Sequence, residues 1–404
     1  MTSGHNQWRG SEMGIHHELK LRPIVNALGP ATRLGGLPLS PAVLAAMSEA
    51  VTANVRIDEL QEAAGAELAQ LLGVPAVYVS SGASSALTLG AAACVAGADP
   101  GLIEALPSAA AQRRVIVQLA HRDPYDHAIT AVGVSLTEIG FPYSTYPHEL
   151  ARQLDSSVAA VLWRPGHDGE LLPLRTVAEL SHAVGVPVVV DAAMDVPPIS
   201  RLQQLFADGA DVVAVSGGKG FRGPHTSGLL CGRADLVAAV ALHHQDMDIR
   251  ARTWQPSEVT GAQPLRGRHG LSRGLKVGRE QIAGILAAVR EYVDAPRRWD
   301  AHYATELADC ATELGACPAL GFSRSHNDHL DVAVLDIDFG DAPLDADEVV
   351  RLLDTGEPRI QIGEDSARRN VLSVNPMGLH EGEGGRVGRR IVEILKSANT
   401  VEKP

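Results

Sequence analysis

Short, continuously apolar runs alternate along the chain with longer alanine-rich stretches whose polar positions recur at helical spacing. The apolar runs are Ala76–Ser80, Val115–Gln118, Ala159–Trp163, Val188–Asp191, Val212–Ser216 and Gly228–Cys231. The helix-like stretches are Pro41–Ala53, Ile57–Leu72, Ser84–Val95, Leu174–Ala183 and Leu202–Ala207. A strand apolar at every position has to be covered on both faces. The alternation therefore predicts an α/β architecture, a mostly parallel sheet between helices. Such a sheet collects its ligand at the carboxyl ends of its strands.

Thr253–Gly278, rich in Gly, Pro, Arg and Gln, reads as a connecting segment, and a helix follows over about Glu280–Val293. Beyond it, Val332–Phe339 and Val371–Asn375 are strand-like, while Asp345–Leu353 and Gly385–Ser397 are helix-like, the pattern of a smaller α+β domain. The expected organisation is an N-terminal arm over 1–25 and a large α/β domain over 26–255. A connecting segment and linker helix follow over 256–290, then a small C-terminal domain over 291–404.

Composition narrows the function classes. The 404 residues are 45% hydrophobic and 21% charged, enough apolar material for a sizeable core. With 35 Lys and Arg against 48 Asp and Glu, the formal net charge is −13, which argues against nucleic-acid or anionic-membrane partners. Aromatics at 4% argue against base-stacking surfaces. Cys94, Cys231, Cys310 and Cys317 show no metal spacing and read as free thiols of a reducing, cytoplasmic compartment. No stretch has the apolar length of a membrane helix, and the first twenty residues lack the pattern of a signal peptide, so a soluble protein is expected.

Chemistry concentrates at three strand ends. VVAVSGGKG, Val212 to Gly220, runs a strand into Ser216, two glycines and Lys219. VPVVVDAA delivers Asp191 at the end of another buried strand, 28 residues before the lysine, room for one helix and a return strand. The two side chains then leave the same edge of the sheet. YVSSGASSAL, Tyr78 to Leu87, leads a strand through a glycine turn into a helix, where free N–H groups and the hydroxyls of Ser81 and Ser84 suit an anion. It lacks GxxxxGK[ST] and is not a nucleotide P-loop. A lysine for a Schiff base, a carboxylate for a ring nitrogen and an anion site for a phosphate together fit pyridoxal 5'-phosphate.

These motifs, SSGAS, VVVDAA and SGGKGFRGP, resemble the selenocysteine-synthase-like branch of fold type I pyridoxal-phosphate enzymes, and within it the D-glucosaminate-6-phosphate ammonia-lyase group. VNALGPATRLGG (Val25–Gly36), RIDELQEAAG (Arg56–Gly65), HRDPYDHA (His121–Ala128) and RGLKVGREQIAG (Arg273–Gly284) extend the resemblance, which is loose in the C-terminal domain. It implies that Lys219 carries the cofactor, Asp191 pairs with its ring nitrogen, and Ser81, Gly82, Ala83 and Ser84 hold the phosphate with Ser216. It implies His127 or Tyr125 over the ring face, with His127 favoured. Arg56, Arg273 and Lys276 are implied to line the site, some across a subunit boundary, in at least a homodimer. Arg359, in GEPRI, is a candidate clamp for a substrate carboxylate.

One position departs from the family. His225, in GPHTSG, stands where relatives commonly have glutamine, and His243 and His244 lie nearby in sequence. A spacing of 18 residues without HExxH argues against a metal there. The implied reaction is removal of the α-proton of an anionic amino acid or amino-sugar acid. α,β-Elimination to a 2-oxo acid and ammonia, a lyase reaction, is the first reading. A racemase or epimerase, with Lys219 on one face and His127 or His225 on the other, is the alternative. Selenocysteine-synthase-type replacement and a non-catalytic protein with this fold rank below both.

Overall fold

The protein is described from a computed structural model covering residues 14–167, 169–244, 253 and 270–401. Most of the expected N-terminal arm, residues 254–269 of the expected connection and the end of the LHHQDMD run lie outside the described residues. The strands among the described residues are β1 (Ile24–Ala27), β2 (Ala76–Ser80), β3 (Arg114–Gln118), β4 (Ser135–Ile139), β5 (Val158–Trp163), β6 (Val188–Asp191), β7 (Val212–Ser216), β8 (Gly228–Gly232), β9 (Gly321–Asn327), β10 (Val332–Asp338), β11 (Arg359–Ile362) and β12 (Val371–Val374). Two compact units form. One comprises Gly35–Arg298 with Asp328–Asp331; the other comprises the residues up to Leu34, Trp299–Asn327 and those from Val332 onward.

The first unit holds a seven-stranded sheet in the order β2-β8-β7-β6-β5-β3-β4. All pairings are parallel except those of β8, which runs antiparallel to both β2 and β7. Side chains alternate between two cores. Val79, Ile116, Val161, Val190 and Val213 enter one; Tyr78, Val117, Leu162, Val189 and Val212 enter the other. Both sets are buried, which is why these strands carry no polar alternation. The alanine-rich Ala83–Ala96 helix packs in the second core, its small side chains permitting close approach to the strands.

β4, by contrast, was not among the apolar runs. It is the sheet's outer strand, paired only with β3, and its Ser135-Leu-Thr-Glu-Ile sequence is mostly solvent-facing, so no buried pattern marks it. At the opposite edge, β2 leaves Val79 without a second strand neighbour. Gln61 supplies one: its Nε2 donates to the Val79 carbonyl at 2.9 Å and its Oε1 accepts from the Val79 N–H at 3.2 Å.

That bond pair needs the Ile57–Leu72 helix against the strand, and Gly65 allows it. A Cβ at Gly65 would stand 2.4 Å from the Val77 carbonyl oxygen. Gly65→Ala gains about 1 kcal/mol of helix propensity but meets backbone that cannot swing aside, an overpacking penalty of about 1–3 kcal/mol. A melting temperature lowered by a few degrees is expected in a thermal scan; an unchanged or raised value contradicts the close approach.

The second unit contains the antiparallel sheet β12-β10-β9 and the parallel pair β1-β11. Phe339, Leu335, Ile337 and Leu372 pack with Leu307 and Cys310 of the Asp300–Leu314 helix, which the hydrophobic pattern did not single out because Ala and Thr dilute its contrast. β1 belongs here, paired in register with β11 from Ile24 opposite Arg359 to Ala27 opposite Ile362. All four cysteines are free thiols, and burial pushes those of Cys94, Cys231 and Cys310 up to about 12. No helix among the described residues is long and apolar enough to cross a membrane.

Candidate active site

β6 and β7 are adjacent, with Asp191 in register with Ala214, so Asp191 and the loop after Ser216 leave the sheet side by side. The loop is closed on itself: the Gly217 N–H donates to the Ser227 carbonyl at 2.9 Å and the Gly223 N–H to the Gly217 carbonyl at 2.8 Å. Its glycines are required by close approach. A Cβ at Gly218 would lie 2.9 Å from His225 Cα, and one at Gly220 would lie 2.4 Å from Pro197 Cδ. The side chain the loop presents between them is Lys219. Its Nζ lies 2.9 Å from Met194 Sδ. Burial drives the lysine pKa below its ordinary value, against the opposing pull of the Asp191, Asp195 and Asp123 carboxylates.

Asp191 is fixed from two sides. The Ala193 N–H donates to its Oδ1 at 3.2 Å, and Arg164 Nε donates to its Oδ2 at 3.2 Å. Arg164 directly follows β5 and is only 6% exposed. Its Nη1 donates to Asp126 Oδ1 at 2.9 Å and to the His121 carbonyl, while its Nη2 has no hydrogen-bond partner among the described residues. Burial would raise the Asp126 pKa, but hydrogen bonds from Arg122 and Arg164 outweigh it and hold this carboxyl below the ordinary range. The result is a buried carboxylate–guanidinium–carboxylate chain, Asp126–Arg164–Asp191.

His121 stands beside this chain, past the end of β3, with its ring 4.7 Å from that of His167 and edge-on to Trp163 at 5.6 Å. Its Nδ1 accepts the Arg164 backbone N–H at 3.3 Å, so a neutral ring carries its proton on Nε2. Burial first, then His167 and Arg164, push its pKa down from 6.5 to about 3. Above 6.5 the ring is neutral folded or unfolded; below it, only the unfolded chain takes up the proton. Stability is therefore present above 6.5 and is lost as pH falls toward about 3. His243 and His244, both lowered by burial, act in the same direction. Urea denaturation should show stability falling from about pH 7 to about pH 5, by up to about 1.4 kcal/mol per pH unit for one such group. His121→Asn should flatten that slope, and an unaltered slope would refute the assignment.

At the end of β2, Ser80 Oγ donates to the Gly82 carbonyl at 2.9 Å, and Gly82 adopts φ +141° before the Ala83–Ala96 helix. The antiparallel β8 closes behind it: a Cβ at Gly228 would lie 2.4 Å from the Gly82 carbonyl carbon. A Cβ at Gly82 would meet nothing within 4 Å. Ser84 is exposed, while the Ser85 hydroxyl is buried with no partner among the described residues. The first helical turn has N–H groups without intrahelical acceptors. Ser81 Oγ donates to the Leu275 carbonyl at 3.0 Å, and the same carbonyl accepts His244 Nε2 at 2.8 Å. This tether brings the Leu271–Leu275 turn, which contains Arg273 and precedes Lys276, beside the serine loop.

The remaining candidates divide. His225 lies against Gly218 and Gly36, where a Cβ would reach its Nδ1 at 2.9 Å. At the end of the Ala234–His244 helix, His243 is tied elsewhere, to the Gly97 carbonyl at 3.0 Å, while His244 bonds Tyr78 and the Leu275 carbonyl that Ser81 also engages. His127 and Tyr125 are exposed. Arg56 is exposed and engages the carboxylates of Asp58 and Glu59. Arg359, in the other unit, pairs with Asp354 through Nε at 2.9 Å and Nη2 at 3.1 Å. Sequence reasoning passed over Arg164, His121 and Asp126. The first two follow buried strands at the edge that carries Asp191, so the strand-end rule itself could have found them.

The residues fit pyridoxal phosphate by their chemistry: a buried amine, a carboxylate held by a guanidinium, and a glycine-led helix start with an unengaged hydroxyl. No family model matches the chain. It is similar to 5'-C-glycyluridine monooxygenase-decarboxylase from a Streptomyces species, 29% identical over 400 residues, covering 96% of this chain and 93% of the relative. It is also similar to D-glucosaminate-6-phosphate ammonia lyase of Salmonella typhimurium, 26% identical over 396 residues, covering 95% of this chain and 98% of the relative. A solved structure of D-glucosaminate-6-phosphate ammonia-lyase aligns with a TM-score of 0.79 at 24% identity, covering 96% of this chain and 99% of that one. The fold is that of the fold type I pyridoxal-phosphate enzymes, and the chain is an enzyme.

Proposed function

We propose that this enzyme uses pyridoxal phosphate to remove the α-proton of an anionic amino acid or amino-sugar acid and expel its β-hydroxyl as water, after which water hydrolyses the resulting enamine to a 2-oxo acid and ammonia. The observation that carries the proposal is the convergence of Lys219 and Asp191 from adjacent strand ends. Similarity to an ammonia lyase along nearly the whole of both chains supports elimination. When bound, the cofactor supplies a ring that delocalises the electron pair left at the substrate Cα.

The chain's own groups would do the rest. Burial favours the uncharged amine of Lys219, which suits it to join the cofactor and to accept the α-proton. Asp191, bonded to Arg164, would face the ring nitrogen and hold it protonated. Ser81, Gly82, Ala83, Ser84 and Ser216, with the free N–H groups of the helix start, would take the phosphate. Arg273 and Lys276, tethered near Ser81, would draw an anionic substrate to an otherwise acidic protein. His225, against the lysine loop, would protonate the departing hydroxyl. Arg56, His127, Tyr125 and Arg359 stay as proposals from the resemblance, as does a homodimer.

The test is an NMR screen of amino acids and amino-sugar acids in deuterated water with cofactor-loaded enzyme. A 2-oxo acid with stoichiometric ammonia is the expected outcome. α-Deuterium without product would replace elimination by racemisation. The monooxygenase-decarboxylase relative supports a second reading, in which the same Cα electron pair is passed to dioxygen and a carboxyl group is lost. Product accompanied by oxygen uptake and released carbon dioxide would select it.

A further inference from the structure

Given a site that takes pyridoxal phosphate, as proposed above, we infer that Arg164 is a positioning residue for the cofactor, donating from Nη2 to the phenolic oxygen of the ring whose nitrogen faces Asp191. A guanidinium has five N–H donors in one plane. In Arg164 the Nε–H goes to Asp191, and the Nη1 donors go to Asp126 and the His121 carbonyl. The Nη2 donors have no partner among the described residues, although the side chain is only 7% exposed. Leaving a buried charged donor unmatched is unfavourable, so an acceptor is called for.

The shape of the group says where. Nε–H and one Nη2–H project in parallel from the same edge, the fork that normally grips two oxygens. Here the first tine reaches Asp191 Oδ2 at 3.2 Å, while Asp191 Oδ1 is taken by the Ala193 N–H at 3.2 Å. The acceptor for the second tine therefore lies beside the carboxylate. A pyridoxal ring presents that pairing of chemistries: a nitrogen that donates to a carboxylate and, two ring atoms away, an oxygen that accepts and is stabilised as an anion by a cation. Asp126, on the opposite edge of the guanidinium, and Arg122 behind it keep the fork from rotating. Arg164 would thus fix the ring in its plane and favour the ionised phenol.

The experiment titrates pyridoxal phosphate and its 3-deoxy analogue, which lacks the phenolic oxygen, into wild-type protein, Arg164→Lys and Arg164→Met. Affinity, the pH midpoint of the visible absorption and the melting temperature are read. Wild type should prefer the parent cofactor by about tenfold or more, a preference Arg164→Met should lose. Its visible-band midpoint should move up by about one pH unit, with Arg164→Lys between the two. Equal affinity of wild type for both probes overturns the inference, as does an Arg164→Met protein that keeps both the preference and the midpoint. If Arg164→Met does not fold, Arg164→Lys with wild-type preference and midpoint overturns it, and a reduced preference supports it. Wild type that takes up neither probe defeats instead the underlying cofactor reading.

Discussion

Lys219→Ala is expected to lose turnover by at least about a thousandfold and to lose the yellow, borohydride-bleachable chromophore of the loaded enzyme. Two roles go together in this substitution: the amine that joins the cofactor, and the base that accepts the α-proton, the latter alone accounting for about 10²–10⁴. Folding should survive. Burial disfavours the ammonium form of Lys219, so its removal relieves the core of a group that is costly to charge. The melting temperature should be unchanged or raised while activity disappears. Retained turnover would eliminate both the lyase and racemase readings, whereas collapse of the fold would contradict the burial argument alone. Added primary amines should restore part of the proton-transfer rate, because the surrounding carboxylates and glycine loop stay in place.

Asp191→Asn should follow closely, with turnover lower by about a hundredfold or more and cofactor affinity reduced by about tenfold or more. The amide keeps the shape of the carboxylate, so packing is preserved, but its one oxygen can replace only one of the two that accept from Ala193 and Arg164. What it cannot do is hold a ring nitrogen protonated by charge, and the cofactor then withdraws electrons less effectively. Measured kcat with a saturating substrate separates this from weaker binding. Asp191→Ala is the harsher change: Arg164 would keep Asp126 as its only carboxylate, and a buried guanidinium deprived of one partner destabilises by several kcal/mol. An Asn variant within twofold of wild type would remove Asp191 from the mechanism.

Much of the architecture is legible in the sequence. Five strands of the seven-stranded sheet other than β8 and the outer β4 coincide with continuous apolar runs, because burial on both faces suppresses polar alternation. β8 was legible as a strand too, but its direction was not: Gly228–Gly232 reads the same either way, and only pairing with β2 and β7 makes it antiparallel. The edge strand β4 and the exposed β9 went unseen, since an outer strand can stay polar without penalty. The boundary expected between residues 25 and 26 falls inside β1, and pairing with β11 more than three hundred residues later places the whole strand in the other unit.

The same division holds for the site. Local sequence alone determined which residues stand at strand ends: a glycine-flanked lysine after β7, an aspartate closing β6, a serine-glycine turn opening a helix. Those are consequences of periodicity and backbone sterics, which act over a few neighbours. Tertiary structure alone decided charge state and partnership: that Arg164 bridges Asp126 and Asp191, that His121 is buried against His167 and Trp163, and that His243 and His244 serve the scaffold. Hydrogen bonds, burial and Coulomb interactions depend on distance in space, and residues 38 and 27 positions from Arg164 in sequence become its immediate neighbours only when the parallel strands bring their ends together.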